Sequence, residues 1–153
     1  MTENLPETMD EVPMGDRQTV LVVDDEQDLR SLVANVLTEY GYKVVTASNG
    51  TKALALLAAM ETPPDLLLTD VVMPGMSGPV LADQLLARFA SARVLFMSGY
   101  DERQVVQRYV VEKGFALIIK PFQLHSLCAA VKKALESAPV SIAGAAVASE
   151  QIH

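Results

Sequence analysis

Four chemically capable positions each follow a hydrophobic run. Asp24-Asp25 come after TVLVV, Asp70 after DLLLT, Ser98 after RVLFM and Lys120-Pro121 after FALII. If these runs are buried strands of one parallel sheet, they point the same way and their ends meet along one edge, where open parallel sheets bind ligands. Three carboxylates held together repel one another, so a stable site needs a compensating cation. Lys120 supplies one charge and a divalent metal would supply more. Carboxylate oxygens favour Mg²⁺, and no cluster of His and Cys suggests zinc instead. One carboxylate could then act as a nucleophile toward a phosphoryl group, with metal and ammonium stabilising the transferring oxygens. Each position alone has a plainer reading. The acidic pair could favour a helix dipole, Asp70 could belong to a Pro-Gly turn, and Lys120-Pro121 could simply end a strand. The joint arrangement favours the site.

The elements that would position these groups follow from hydrophobic period. Five apolar blocks, at 19–23, 42–47, 65–69, 93–97 and 115–119, are candidate strands, and their near-continuous Val, Leu and Ile content suits strands covered on both faces. Helical spacing predicts a helix over 26–40, with Leu29, Leu32, Val33, Val36 and Leu37 as its apolar stripe and Gly41 as a left-handed cap. A second stripe is Ala53, Leu54, Leu56, Leu57 and Met60, stopped by Pro63-Pro64. A third helix runs from Gly78 to about Arg88, burying Val80, Leu81, Leu85 and Leu86. Asp101 is placed to cap a fourth, with Val105, Val106, Tyr109 and Val110 facing inward before Gly114. The fifth covers 123–136, with Leu124, Leu127, Val131 and Leu135 inward. Strict alternation of strand and helix implies right-handed crossovers and a three-layer, doubly wound α/β fold.

Composition is compatible with one domain between two tails. At 153 residues the chain can bury a substantial core. Residues 1–16 read as an acidic leader, 17–137 as the domain and 138–153 as an Ala- and Ser-rich tail. The leader carries five acids and no Lys or Arg, unlike a secretory signal. No apolar run approaches the ~20 residues of a membrane span. A cytoplasmic protein without membrane contact is therefore expected. The single cysteine, Cys128, falls among Leu124, Leu127 and Val131 at helical spacing and reads as a core thiol. Net charge is −7, of which the leader supplies −5, and this balance argues against direct nucleic-acid binding, which needs clustered Lys and Arg.

The order VLVVDDE, TDVVMPGMSG, MSG and KPF resembles the receiver domain of two-component response regulators, over about residues 18–137. The resemblance implies a flavodoxin-like (CheY-like) (βα)5 fold with strand order 2-1-3-4-5. It also implies Mg²⁺ and phosphoryl transfer from a phosphohistidine on a sensor histidine kinase or histidine phosphotransfer protein. By position, Asp70 is the phosphoacceptor, Asp25 a direct metal ligand and Asp24 a ligand acting through water. The main-chain carbonyl of Val72 completes the protein's share of the coordination. Ser98 matches the hydroxyl that bonds a phosphate oxygen, and Lys120 the phosphate-binding lysine. The Lys120-Pro121 bond is expected to be cis. The motifs look most like receivers associated with hybrid sensor kinases. A homodimer through the fourth helix and fifth strand is a further implied arrangement.

One position departs from the family pattern. The aromatic switch residue of many receivers falls three residues before the lysine, where this chain has Leu117; Phe115 and Tyr100 are the nearby aromatics. His125 reads as a surface residue, and Met73, Met76 and Met97 as turn and core packing. The expected function is a signalling module that catalyses its own phosphorylation and dephosphorylation, not a metabolic enzyme. A pseudo-receiver working without phosphorylation is the alternative. A small aspartyl-phosphate phosphohydrolase is a weaker one, because such enzymes need an acid two residues after the nucleophile and Val72 stands there.

Overall fold

Among the described residues, alternating apolar blocks and amphipathic stretches form one five-stranded sheet with helices on both faces. The computed structural model describes residues 14–99, 110 and 112–137. The strands are β1 (Thr19–Val23), β2 (Lys43–Ala47), β3 (Leu66–Asp70), β4 (Arg93–Ser98) and β5 (Ala116–Ile119). Four helices lie among the described residues: α1 (Gln27–Glu39), α2 (Gly50–Ala59), α3 (Gly78–Arg88) and α4 (Leu124–Glu136). All strand pairs are parallel, in the order β2-β1-β3-β4-β5, which is the expected flavodoxin-like order. The helix expected after Asp101, with Val105, Val106 and Tyr109, lies outside the described residues, as do 1–13 of the leader and the tail 138–153. No helix among the described residues is long and apolar enough to cross a membrane.

Strand alternation divides the core in two. Leu21, Val23, Leu67 and Phe96 face α2 and α3, while Val20, Val22, Leu66, Leu68, Leu95 and Met97 face α1 and α4. The strands are therefore apolar on both sides, which explains why their sequences read as continuous hydrophobic runs. Phe115 meets Phe96 edge to face, with ring centroids 5.2 Å apart, so its place is in the core. Leu117 packs against the same cluster. Cys128 is fully buried on the other side, and burial pushes its thiol pKa up, as expected of a core cysteine.

Three apolar residues expected to be buried are not. Val80 is exposed because α3 buries Leu81, Ala82, Leu85 and Leu86, and Val80 lies on the opposite side of that stripe. Leu32 lies on the flank of the α1 stripe formed by Val33, Val36 and Leu37. Leu124 is the first residue of α4, before the helix reaches the cover of the sheet.

Side-chain caps mark the starts of α2 and α3. Asn49 accepts a hydrogen bond from the Lys52 N–H at 2.8 Å, and Ser77 caps α3 with Pro79 in its first turn. Gly41 closes α1 at a φ of 101°, and Gly15 and Arg17 donate main-chain bonds to the carbonyls of Tyr40 and Gly41. A side chain at position 41 would adopt a left-handed backbone and bring its Cβ to 2.8 Å from the Gly15 carbonyl oxygen. Gly41→Ala is therefore expected to lower stability by about 1–3 kcal/mol. Urea unfolding should show a lower midpoint at an unchanged m-value, and an unmoved midpoint would contradict this account of the turn.

Candidate functional site

The site is a consequence of register. Val23 pairs with Thr69 and Asp70 with Met97, so the residues leaving β1 and ending β3 emerge side by side at the carboxyl edge. β4 and β5 are joined one step further by the pairing of Ser98 with Ile119. Beyond the strands, the Val71 N–H bonds the Met97 carbonyl at 2.9 Å and the Lys120 N–H bonds the Ser98 carbonyl at 2.8 Å. The ladder thus continues into the loops that carry the functional groups.

Asp24, Asp25 and Asp70 come together, with one carboxylate oxygen from each within 4.8 Å of the others. Lys120 closes the cluster. Its Nζ lies 3.0 Å from Asp70 Oδ2 and 3.1 Å from Asp24 Oδ2. Asp24 is buried and both of its oxygens are engaged, Oδ2 by Lys120 and Oδ1 by the Glu26 N–H at 2.8 Å. That second bond makes the acidic pair a local Asx-type turn ahead of α1. Asp25 is exposed and has no hydrogen-bond or ion-pair partner among the described residues. Three convergent oxygens of this kind suit a hard divalent cation, and Asp25 is the carboxylate best placed to give its oxygens to one.

Burial disfavours the charged form of Lys120, but the hydrogen bond and charge of Asp70, followed by those of Asp24, outweigh it and raise the pKa above the ordinary lysine value. The interaction is fully present below the ordinary lysine pKa and is lost only as pH rises through the raised one. At neutral pH the ammonium is charged.

The remaining expected residues fall at the same edge. Ser98 is buried at the end of β4, where its hydroxyl donates a long bond of 3.3 Å to the Gly99 carbonyl. Val72 is half exposed in the loop after β3. The Lys120-Pro121 bond is cis, as expected. Tyr100 lies outside the described residues. His125 is an exposed residue of α4, while Met73 and Met97 are buried and Met76 packs against the core.

Two supporting contacts were not legible in the sequence. The Arg30 guanidinium donates to the Asp24 carbonyl at 2.8 Å and so holds the acidic turn from α1. The Thr69 hydroxyl donates to the Asp70 carbonyl at 3.0 Å. An arginine among polar helix positions and a threonine inside a strand carry no local signal of either role. Beside the cluster, a cleft of about 620 Å³ runs from Lys120 along α1, with Leu29, Leu32, Phe122 and Leu124 among its lining residues.

A flavodoxin-like sheet with acids just after β1 and at the end of β3 and a lysine just after β5 defines a class, and comparison with known proteins gives the same class. Residues 20–132 match the response regulator receiver domain family, and the chain belongs to that family of two-component signalling modules. Among curated relatives, it is 35% identical over 118 residues to the sensor kinase CckA of Brucella abortus, covering 77% of this chain and 12% of the kinase. It is 31% identical to sporulation initiation phosphotransferase F of Bacillus subtilis, covering 77% of this chain and 94% of that protein. A solved receiver domain of the hybrid histidine kinase CckA superposes with a TM-score of 0.64 at 31% identity, covering 77% of this chain and 99% of that one. The chain thus spans about one eighth of the Brucella kinase and 14% of the sensor histidine kinase TmoS of Ectopseudomonas mendocina.

Proposed function

We propose that the protein is a phosphoacceptor that takes a phosphoryl group from a phosphohistidine onto Asp70 and signals through protein contacts. The observation that carries this reading is the convergence of Asp24, Asp25 and Asp70 within 4.8 Å, closed by the Lys120 ammonium. In the transfer, an Asp70 carboxylate oxygen attacks phosphorus. The new O–P bond forms as the P–N bond to the donor imidazole breaks, and the bonding pair leaves on the imidazole nitrogen. Lys120 already stands 3.0 Å from Asp70 Oδ2, so it offers its charge to the transferring oxygens without further reorganisation. Ser98 supplies a hydroxyl at the same edge. Loss of the phosphoryl group is a hydrolysis: water attacks phosphorus, the O–P bond to Asp70 breaks with its pair returning to the carboxylate, and inorganic phosphate leaves with the proton passing to solvent.

Asp25, Asp70 and the Val72 carbonyl would hold Mg²⁺, with Asp24 acting through water. When bound, the ion neutralises negative charge on the phosphoryl oxygens. The engaged oxygens of Asp24, and an Asp25 carboxylate that is exposed and has no partner among the described residues, support this division of roles.

The partner is a sensor histidine kinase or histidine phosphotransfer protein, and the setting is the cytoplasm. Kinase relatives support the first of these. The cleft beside Lys120, rimmed by the exposed Leu32 and Leu124, offers an apolar surface against which such a donor can bring its phosphohistidine to Asp70. Beryllofluoride, a stable mimic of the phosphoryl group, provides the test. With Mg²⁺ it is expected to shift the amide resonances of Asp70, Val71 and Ser98 in the wild-type protein and to leave those of Asp70→Asn unmoved. Equal shifts in both proteins would place the anion elsewhere, and none in either would favour an interaction module working without phosphorylation.

A further inference from the structure

The loop between β3 and α3 carries Val72, and it is gripped by backbone contacts that leave no room for a side chain. The Val71 N–H bonds the Met97 carbonyl at 2.9 Å, and the Val71 carbonyl accepts from the Gly78 N–H at 2.8 Å. Val71 is therefore tied on one side to β4 and on the other to the first turn of α3. A Cβ at position 78 would overlap the Asp70 carbonyl oxygen and stand 3.1 Å from both the Asp70 carbonyl carbon and the Val71 Cα. The atoms in the way are main chain, so no rotamer change relieves the contact. The Asp70 carbonyl also receives the Thr69 hydroxyl at 3.0 Å, which constrains its own movement. Further round the loop, a Cβ on Gly50 of α2 would come within 2.8 Å of Met76 Cβ and Sδ.

We infer that Gly78 is a positioning residue for phosphoryl transfer, with Gly50 supporting it. Their missing side chains let α3 and α2 close on the loop and set where the Asp70 carboxylate and the Val72 carbonyl stand. The inference rests on the reading of Asp70 as acceptor. Gly78 touches no reacting atom. Its role is to fix the end of β3 against the first turn of α3, and a displacement of about 1 Å at reacting groups is enough to lose ~10²-fold in rate.

The test compares wild type with Gly78→Ala by three readouts: Mg²⁺ affinity from amide shifts, the rate of phosphoryl uptake from acetyl phosphate, and amide hydrogen exchange. Gly78→Ala is expected to weaken Mg²⁺ binding by about tenfold or more and to slow uptake by ~10²-fold. Exchange protection should fall at positions 71 and 78 while the rest of α3 keeps its protection. A variant that is less stable yet binds Mg²⁺ and takes up phosphoryl at wild-type levels in its folded fraction would overturn the inference. Should Gly78→Ala fail to fold, Gly50→Ala presses the same loop through a side chain. Weaker Mg²⁺ binding in Gly50→Ala, restored by adding Met76→Gly, supports the inference; unchanged binding in Gly50→Ala overturns it. If wild type itself neither binds Mg²⁺ nor takes up phosphoryl, the functional reading fails, and the exchange pattern still decides whether Gly78 holds the end of β3.

Discussion

Lys120→Met is expected to slow phosphoryl uptake by about 10²–10³-fold while leaving Mg²⁺ binding equal or tighter. Methionine keeps the length and apolar stem of lysine but removes the ammonium that stands 3.0 Å from Asp70 and 3.1 Å from Asp24. The transferring oxygens then lose a preplaced positive charge. The carboxylates lose their protein cation too, so they have more to gain from a divalent ion than in the wild type. Slower uptake without weaker Mg²⁺ binding separates a catalytic charge from a merely structural one. Uptake can be followed by intact-protein mass and Mg²⁺ affinity by titration calorimetry. Uptake at the wild-type rate would remove Lys120 from the mechanism.

The largest effect on stability is expected from Phe96→Ala. Phe96 is fully buried in β4, packs edge to face on Phe115 and faces the α2 and α3 layer. Truncation both returns apolar surface and leaves a cavity, at about 3–5 kcal/mol. That is a large share of the ~5–15 kcal/mol that holds a domain folded. β4 also carries Ser98 and receives the Lys120 N–H, so local loosening would reach the site before global unfolding. The protein has no Trp, so far-UV circular dichroism in urea is the suitable probe. A loss below about 1 kcal/mol would mean that the β4–β5 core packs differently.

Much of this architecture was legible because both faces of the sheet are covered. Runs such as TVLVV and DLLLT have no polar face to hide, and the charged residue after each marks the strand end. Parallel direction brought Asp24, Asp70 and Lys120 to one edge, and the strand order β1-β3-β4-β5 made them neighbours there. Side-chain exposure was harder to read. Helical period places Val80 and Leu124 among apolar neighbours but does not say which flank the sheet covers or where that cover begins. Contacts between one element and the turn or strand before it left the least trace. Arg30 meets a main-chain carbonyl of the preceding turn, and the glycine at 78 is required by Asp70, a contact visible only once α3 closes on β3. The mismatch at Leu117 has a simple structural counterpart, since that side chain packs with the core that Phe115 also enters.

The most direct measurement of the central claim is intact-protein mass after incubation with acetyl phosphate, with and without Mg²⁺, for wild type and Asp70→Asn. The account predicts a metal-dependent gain of one phosphoryl group, about 80 Da, in the wild type and none in the variant. A wild-type protein that stays unmodified with Mg²⁺ present, or an equal gain in Asp70→Asn, would contradict it.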